Sequence, residues 1–172
     1  MLRLFYDMKK EIITEFERRV FKESFARIIQ CLDRLTEEQT WHQPGPQTNS
    51  VGVLIVHLLG NAQQWICTTF GDFQDNRNRS AEFEANQELN QADLKRAMTE
   101  VKQRIAYTLN ELNEEDLYKQ FDVQCYQESG LSILIHVIEH FSYHTGQIAL
   151  LTKLQTTKDL GFYANDEVDK TQ

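Results

Sequence analysis

Apolar residues recur at spacings of three and four along most of this chain, which is the pattern of amphipathic helices. Four stretches carry the pattern strongly enough to predict long helices. The second stretch is apolar nearly all round in its first half, which predicts a central position in the fold. The predicted helices run from about Met8 to Leu35, from Val51 to about Phe70, from about Gln91 to Leu112, and from Ser129-Gly130 to near Leu154.

The segments between these helices differ in character. Residues 36–50 contain both prolines of the chain, with a glycine between them, and predict a loop. Residues 71–91 are polar and rich in asparagine, and they predict a long crossover that lets the third helix start at the far end from where the second stops. Residues 113–119 predict a single capped turn. Residues 121–127 alternate apolar and polar side chains, which indicates an extended segment without an obvious partner strand.

Together these elements predict an all-α protein, a four-helix bundle with one long crossover between helices 2 and 3. Only 7 Gly and 2 Pro among 172 residues favour long uninterrupted helices over a turn-rich β architecture. The length predicts a single domain over residues 1–172. Residues 155–172 form a polar tail that we expect to fray, although Leu160, Phe162 and Tyr163 provide apolar side chains that can dock.

Charge and cysteine content narrow the classes of function. The formal net charge is -8 and no basic run offsets it, which argues against a nucleic-acid or anionic-membrane partner. Cys31, Cys67 and Cys125 are far apart and odd in number, as expected of reduced thiols. Charges interrupt the first residues too early for a signal peptide, and the longest apolar run, residues 51–59, is too short to span a bilayer. We therefore expect a soluble, cytoplasmic protein.

The candidate chemistry lies on the predicted fourth helix, where His136, His140 and His144 follow one another at intervals of four residues. Residues four apart share a helix face, and two imidazoles so placed can bind one ion. His57, in the apolar half of the second helix, is the natural third ligand, whereas His42 belongs to the loop. Three protein ligands with an open position are typical of catalytic metal sites. The alternative is a histidine stripe hydrogen-bonded to polar neighbours and water.

Spacing alone does not decide which two of the stacked histidines bind the ion. The outer two lie about 12 Å apart along a helix axis, so all three do not easily reach one metal. Both His136 with His140 and His140 with His144 satisfy the geometry.

The run His140-Phe-Ser-Tyr-His144-Thr-Gly-Gln147 resembles the HxxxHxGQ signature of the DinB superfamily of small metal-binding helical bundles. The segment from Leu35 through Trp41 and Pro44 to His57 is similar to the part of those proteins that supplies their first histidine, and the resemblance covers essentially the whole chain. The branch indicated is a DUF1572-like group of proteins of unknown function.

The resemblance implies an up-down-down-up bundle and a divalent ion, most often nickel or zinc, held by His57, His140 and His144. His136 then lines the pocket instead of binding the ion. Thr145 stands where many members have arginine, which leaves the three ligands intact but changes the rim of the site. A homodimer is also implied.

Relatives with assigned activities use such an ion with low-molecular-weight thiols, as bacillithiol-type S-transferases or mycothiol-dependent isomerases. The resemblance therefore implies a metal-dependent thiol S-transferase or related detoxification enzyme that acts on a small electrophile, with His136, Tyr143 or Gln147 shaping the pocket. A metal-dependent hydrolase is a second hypothesis, weakened because no Glu lies between the ligands and Glu139 points about 100° away from His140. A non-catalytic metal-binding stress-response protein is the third.

Overall fold

A computed structural model describes residues 8–85 and 88–164 of the chain, which are mostly helical with one small sheet of two strands. Helix α1 combines Met8–Phe16, a π-helical segment Glu17–Ser24, and Phe25–Leu32. Helix α3 likewise combines Val51–Ala62 with a π-helical segment Gln63–Thr68. The remaining elements are α2 (Glu37–Trp41), α4 (Arg79–Glu82), α5 (Gln91–Glu111), a 3₁₀ turn (Glu114–Leu117), β1 (Gln120–Val123), β2 (Tyr126–Ser129) and α6 (Gly130–Thr156).

The predicted long helices are confirmed, with ends that lie within a few residues of those expected. Ser50 and Asn90 cap α3 and α5, because each side chain accepts a hydrogen bond from the backbone N–H three residues later. Helix α6 begins after Ser129, as predicted, and ends two residues beyond Leu154. Thr157 ends it in the left-handed region at φ 55°, donating its N–H to the carbonyl of Lys153.

The prediction of a loop over residues 36–50 was wrong for its first part, because the short helix α2 lies there. Thr36 and Gln39 form a reciprocal capping box that stabilises this turn. Trp41, at its end, is buried against Gly52, where an added Cβ would lie 2.5 Å from the indole ring. The Trp41 indole N–H donates to the Leu89 carbonyl at 2.9 Å. Packing by this tryptophan thus holds α2 against the start of α3.

Extended structure is present at residues 121–127 as predicted, but the expectation of a single strand without a partner was wrong, because the chain reverses there and forms two strands. Strands β1 and β2 pair antiparallel with each other, from Gln120 opposite Ser129 to Val123 opposite Tyr126. Gln124 makes the turn between them with φ 56°. The 3₁₀ turn before β1 carries the predicted cap, since Asn113 and Asp116 form a capping box. The hairpin therefore leads the chain directly into α6.

Helix α6 packs against α1 and α3, and α3 also packs against α5. The core between them is apolar, and Phe25 of α1 stacks on Phe141 of α6 with ring centroids 5.3 Å apart. Leu160, in the predicted tail, is buried in this core, whereas Tyr163 is exposed. Residues 165–172 of the tail lie outside the described residues. No helix in the described ranges is long and apolar enough to cross a membrane.

The three cysteines are free thiols. Cys31 and Cys67 are buried and Cys125 is exposed. Burial raises the pKa of the Cys31 thiol, and raises that of Cys67 to about 11. A thiol reacts as its thiolate, so burial disfavours the reactive form of both cysteines.

Candidate metal centre

Helices α3 and α6 bring three histidines of the sequence to one point. The Nε2 atom of His140 lies 3.2 Å from Nε2 of His57 and 3.0 Å from Nε2 of His144. One ligand atom from each of the three lies within 4.8 Å of the others. His57 is buried on α3, and its ring meets both α6 rings edge-on at about 5 Å. The contact between His57 on α3 and His140 on α6 therefore joins two residues that are 83 positions apart in the sequence.

The outer ring nitrogens explain why the Nε2 atoms face inward. Nδ1 of His57 lies 2.9 Å from a carboxylate oxygen of Glu82. Nδ1 of His144 lies 2.7 Å from the side-chain oxygen of Gln147. Both partners accept hydrogen bonds, so each histidine donates from Nδ1 and keeps an unprotonated Nε2 with its lone pair toward the centre. This is the way in which metal-ligating histidines are oriented by neighbouring acceptors.

Glu82 is held in place by Arg77, and both side chains come from the segment predicted only as a crossover. The Arg77 guanidinium donates to the two Glu82 oxygens at 2.7 and 3.0 Å, and both side chains are almost fully buried. Burial pushes the pKa of Glu82 upward, but hydrogen bonds from His57 and Arg77 outweigh it and leave the pKa below its usual value. Glu82 is therefore an ionised acceptor behind His57. Gly60 makes room for it, since an added Cβ would lie 2.1 Å from Glu82 Oε1.

The electrostatics keep the ligand nitrogens available. Burial lowers the pKa of His140 to about 3, and the neighbouring histidines and Arg77 add to the effect. Burial also lowers the pKa of His144, with Gln147 opposing the shift and His57 adding to it. Neutral imidazole is the form that binds metals, and these residues are neutral at physiological pH. Nδ1 of His140 is buried without a hydrogen-bond partner among the described residues.

The donor set and its spacing fit a divalent transition-metal ion. Two nitrogens bound to one ion at the usual zinc–nitrogen distance of about 2.1 Å lie roughly 3.0 to 3.4 Å apart, depending on the coordination geometry. The two Nε2 separations of 3.0 and 3.2 Å fall in this range. Imidazole suits zinc, copper, iron and nickel, so the donor set alone indicates a transition metal.

His136 lies outside the three-nitrogen cluster and beside it. Its ring stacks on Trp65 of α3, with centroids 3.7 Å apart, and lies parallel to the His140 ring at 5.6 Å. Burial lowers the pKa of His136, with Glu139 and Glu128 opposing the shift. The geometry brings together the pair His140 and His144 with His57, and leaves His136 as a neighbour.

A cavity of about 320 Å³ opens beside the histidines. Its walls come from α3, the crossover, the β hairpin and α6. The lining residues are His57, Asn61, Trp65, Arg77, Arg79, Gln124, Tyr126, Glu128, His136 and His140.

The other predicted pocket residues lie elsewhere. Gln147 sits behind His144 as its hydrogen-bond acceptor. Tyr143 is 65% exposed and touches His144 edge-on, but it lines a groove between α1 and α6, not the cavity. Thr145 is buried beside that same groove, and His42 is exposed in its loop.

Sequence reasoning missed Glu82, Arg77, Asn61 and Trp65. The crossover has no periodic apolar pattern that could have revealed the first two. Asn61 and Trp65 could have been found, because they follow His57 at intervals of four and therefore share its helix face.

Solved structures with the same fold come from three bacteria. A DinB-like protein from Bacillus cereus aligns with a TM-score of 0.65 at 16% identity, covering 83% of this chain and 92% of that one. A DinB-like protein from Bacillus subtilis aligns with a TM-score of 0.65 at 18% identity, covering 89% and 96%. A conserved protein from Enterococcus faecalis aligns with a TM-score of 0.69 at 16% identity, covering 84% and 97%. At these identities the likeness establishes a shared fold alone.

No curated protein matches the chain significantly. The model of one protein family, DUF1572, matches residues 8–163, which is nearly the whole chain. That family is described as proteins of unknown function. The DUF1572-like branch indicated by the sequence is thus confirmed, and the chain shares its fold with two proteins described as DinB-like. The chain belongs to the DUF1572 family of proteins of unknown function.

Proposed function

We propose that His57, His140 and His144 bind one divalent ion, nickel or zinc, through their Nε2 atoms. The observation that carries this proposal is the convergence of three imidazole nitrogens, with Nε2 separations of 3.0 and 3.2 Å, two of the three rings being oriented by outer acceptors. Three protein ligands would leave coordination positions for a substrate, as in catalytic sites.

We further propose that the protein is a metal-dependent thiol S-transferase acting on a small electrophile. A divalent ion bound here would lower the pKa of a small thiol and favour its thiolate at neutral pH. In the transfer, the thiol sulfur forms a bond to an electrophilic carbon, the leaving group departs with the bonding electrons, and the thiol proton goes to solvent. The cavity beside His57 and His140 supports this proposal, because it gives a small molecule access to the ligand nitrogens.

The chain's own residues have distinct roles in this scheme. Glu82 holds His57 in one tautomer, and Arg77 keeps Glu82 ionised and in place. Gln147 likewise holds His144 in one tautomer, because its side-chain oxygen accepts the hydrogen bond from His144 Nδ1. His136, stacked between Trp65 and His140, forms a rigid wall of the cavity where the substrate would bind.

The metal proposal is tested by replacing His57 with alanine and measuring bound metal by elemental analysis. We expect the wild type to retain one ion per chain and His57→Ala to lose it. His42→Ala is the matched control, because His42 is exposed and remote from the cluster. Retention of a full equivalent of metal by a folded His57→Ala protein would show that the three-histidine site is wrong.

The activity is tested by adding the metal-loaded protein to monochlorobimane with each of several bacterial low-molecular-weight thiols. We expect conjugation that stops when the metal is chelated and in His57→Ala. Conjugation with no thiol in the panel would exclude the transferase. Chelation-sensitive cleavage of esters or amides would then identify the hydrolase, and stable metal binding without either activity would identify a non-catalytic binding protein.

We also propose that the four long helices form a single domain, an up-down-down-up four-helix bundle, and that two copies associate as a homodimer. The packing of α6 on α1 and α3, and of α3 on α5, supports the bundle. Tyr143, Leu150 and Leu154 lie along one face of α6 and are each more than half exposed, which supports a contact with a second copy. Sedimentation should give a dimer that Leu150→Glu dissociates, and a monomeric wild type would refute it.

A further inference from the structure

The cavity beside the histidines has polar walls whose hydrogen-bonding groups are incompletely paired. We infer that it is a binding subsite for a small zwitterion of the amino-acid class that also carries a thiol, with its carboxylate facing Arg79 and its ammonium facing Glu128. This inference rests on the proposed function, because the thiol is placed toward the histidine nitrogens.

The first support is a pair of opposite charges around one cavity. Arg79 and Glu128 both line it, yet they form no ion pair with each other or with any other charged group in residues 8–85 and 88–164. Arg79 lies over the Phe83 ring at 5.1 Å, and Glu128 accepts one hydrogen bond, from Ser132 at 2.6 Å. One positive and one negative group, both available, complement a ligand that carries both charges.

Arg77 does not belong to this pair, although it also lines the cavity. Its guanidinium donates to both oxygens of Glu82 and to the side-chain oxygen of Gln64. Its side chain is only 4% exposed and its charge is balanced by Glu82. The positive group left for a ligand is therefore Arg79, which comes from the short helix α4 and is exposed at the cavity mouth.

The second support is a set of buried polar atoms on the cavity-lining residues. The side-chain oxygen of Asn61, the indole N–H of Trp65 and Nε2 of His136 have no hydrogen-bond partner among the described residues. Asn61 and Trp65 are 5% and 3% exposed. A buried polar atom without a partner is unfavourable, and these three atoms belong to residues that line the cavity, so the lining favours a polar ligand over an apolar one.

The size of the cavity limits the ligand. Small-molecule sites span roughly 300 to 1,000 Å³, and a cavity of about 320 Å³ is at the low end of that range. His57, Asn61 and Trp65 lie on successive turns of one face of α3, so the cavity extends about two turns from the ligand histidines. A single amino acid with a thiol side chain is small enough for this cavity and carries both charges, whereas a neutral thiol leaves Arg79 and Glu128 unused.

The test uses the full chain loaded with cobalt, whose absorption changes when a thiolate binds. Four thiols are titrated: L-cysteine, cysteamine without the carboxylate, 3-mercaptopropionate without the ammonium, and 2-mercaptoethanol with neither. Because cysteine carries one charged group that each singly charged thiol lacks, we expect it to bind roughly tenfold more tightly than either of them, or about 1.4 kcal/mol. Cobalt content is measured on desalted protein before and after each titration, and removal of the ion by cysteine counts against the proposal.

Two variants assign the charges. Arg79→Ala should abolish the advantage of cysteine over cysteamine, and Glu128→Gln should abolish its advantage over 3-mercaptopropionate while keeping the acceptor for Ser132. Arg96→Ala and Glu100→Gln, exposed on α5 and away from the cavity, are the matched controls and should leave both preferences unchanged.

The outcomes separate this inference from the proposed function. Equal affinity for cysteine and 2-mercaptoethanol would overturn the subsite and leave a thiol-binding metal centre intact. Unchanged preferences in both variants would also overturn it. A protein that retains no cobalt, or whose cobalt binds no thiol, would overturn the subsite and the thiol transferase together.

Discussion

Replacing Glu82 with glutamine tests whether the crossover contributes to the proposed metal site. The carboxylate accepts hydrogen bonds from His57 at 2.9 Å and from Arg77 at 2.7 and 3.0 Å, in a setting where both Glu82 and Arg77 are nearly fully buried. Glutamine retains one acceptor oxygen and turns the other position into a donor, which must face an N–H group. It also removes the charge that balances Arg77.

Two effects of different size follow from that geometry. Loss of an outer hydrogen-bond partner of a metal-ligating histidine typically lowers metal affinity about 10- to 100-fold, or roughly 1.4 to 2.7 kcal/mol. Leaving the buried Arg77 unpaired destabilises the fold by about 3 kcal/mol. We therefore expect Glu82→Gln to bind metal more weakly and to unfold at lower denaturant concentration even without metal.

The assay measures metal affinity by competition with a chromogenic chelator, at a temperature where circular dichroism shows the variant to be folded. Glu84→Gln is the control, since Glu84 is exposed two residues away. The double variant Arg77→Met/Glu82→Gln removes both buried charges, and should regain stability without regaining metal affinity. If folded Glu82→Gln binds metal within about twofold of the wild type, Glu82 does not set the ligand strength of His57.

Three further predictions concern the same centre. Gly60→Ala should displace Glu82, whose Oε1 would lie 2.1 Å from the new Cβ, and should weaken metal binding as Glu82→Gln does in the chelator assay. Gln147→Leu should lower metal affinity by up to about tenfold by releasing His144 Nδ1, and an unchanged affinity would contradict that role. The pKa of His140 is lowered from 6.5 to about 3, so the unfolded chain binds a proton there that the folded chain does not. The metal-free protein should therefore lose stability as the pH falls below 6.5, by about 1 to 2 kcal/mol at pH 5 after allowance for solvent screening. Urea unfolding at pH 5 and pH 7 measures the free energy of unfolding, and equal values at the two pH values would refute the prediction.

The sequence was most informative where a repeating pattern or a cap determines local structure. The long helices were predictable because apolar periodicity persists over many turns and Ser50, Asn90 and Ser129 are strong N-caps. Helix α2 was not, because two prolines nearby outweighed a five-residue capping box. The π-helical segments of α1 and α3 were also not predictable, since they keep the same apolar faces as the α-helix around them.

The same distinction applies to the candidate site: some of its residues follow from a repeating pattern, and others are placed there only by the tertiary structure. The four-residue spacing identified the row of histidines on α6. It did not distinguish His136 from His144 as the second candidate ligand beside His140. Their difference arises from tertiary structure: the His136 ring stacks on Trp65, whereas the His144 ring meets the His57 ring edge-on at 5.2 Å. The family resemblance, not the spacing, selected the two histidines of α6 that the structure brings together with His57. Glu82 reaches the site through the fold of the crossover, where the sequence has no periodic pattern.

The cluster of Nε2 atoms also has a consequence for the folding of the chain. His57 and His140 are 83 residues apart, so an ion held between them would close a loop of that length. In chain-entropy terms, a cross-link closing such a loop stabilises the folded state by about 4.5 kcal/mol. The proposed ion would thus act as a reversible staple between the first and last thirds of the protein. The amount of folded protein in a cell would then depend on its supply of metal as well as on its sequence.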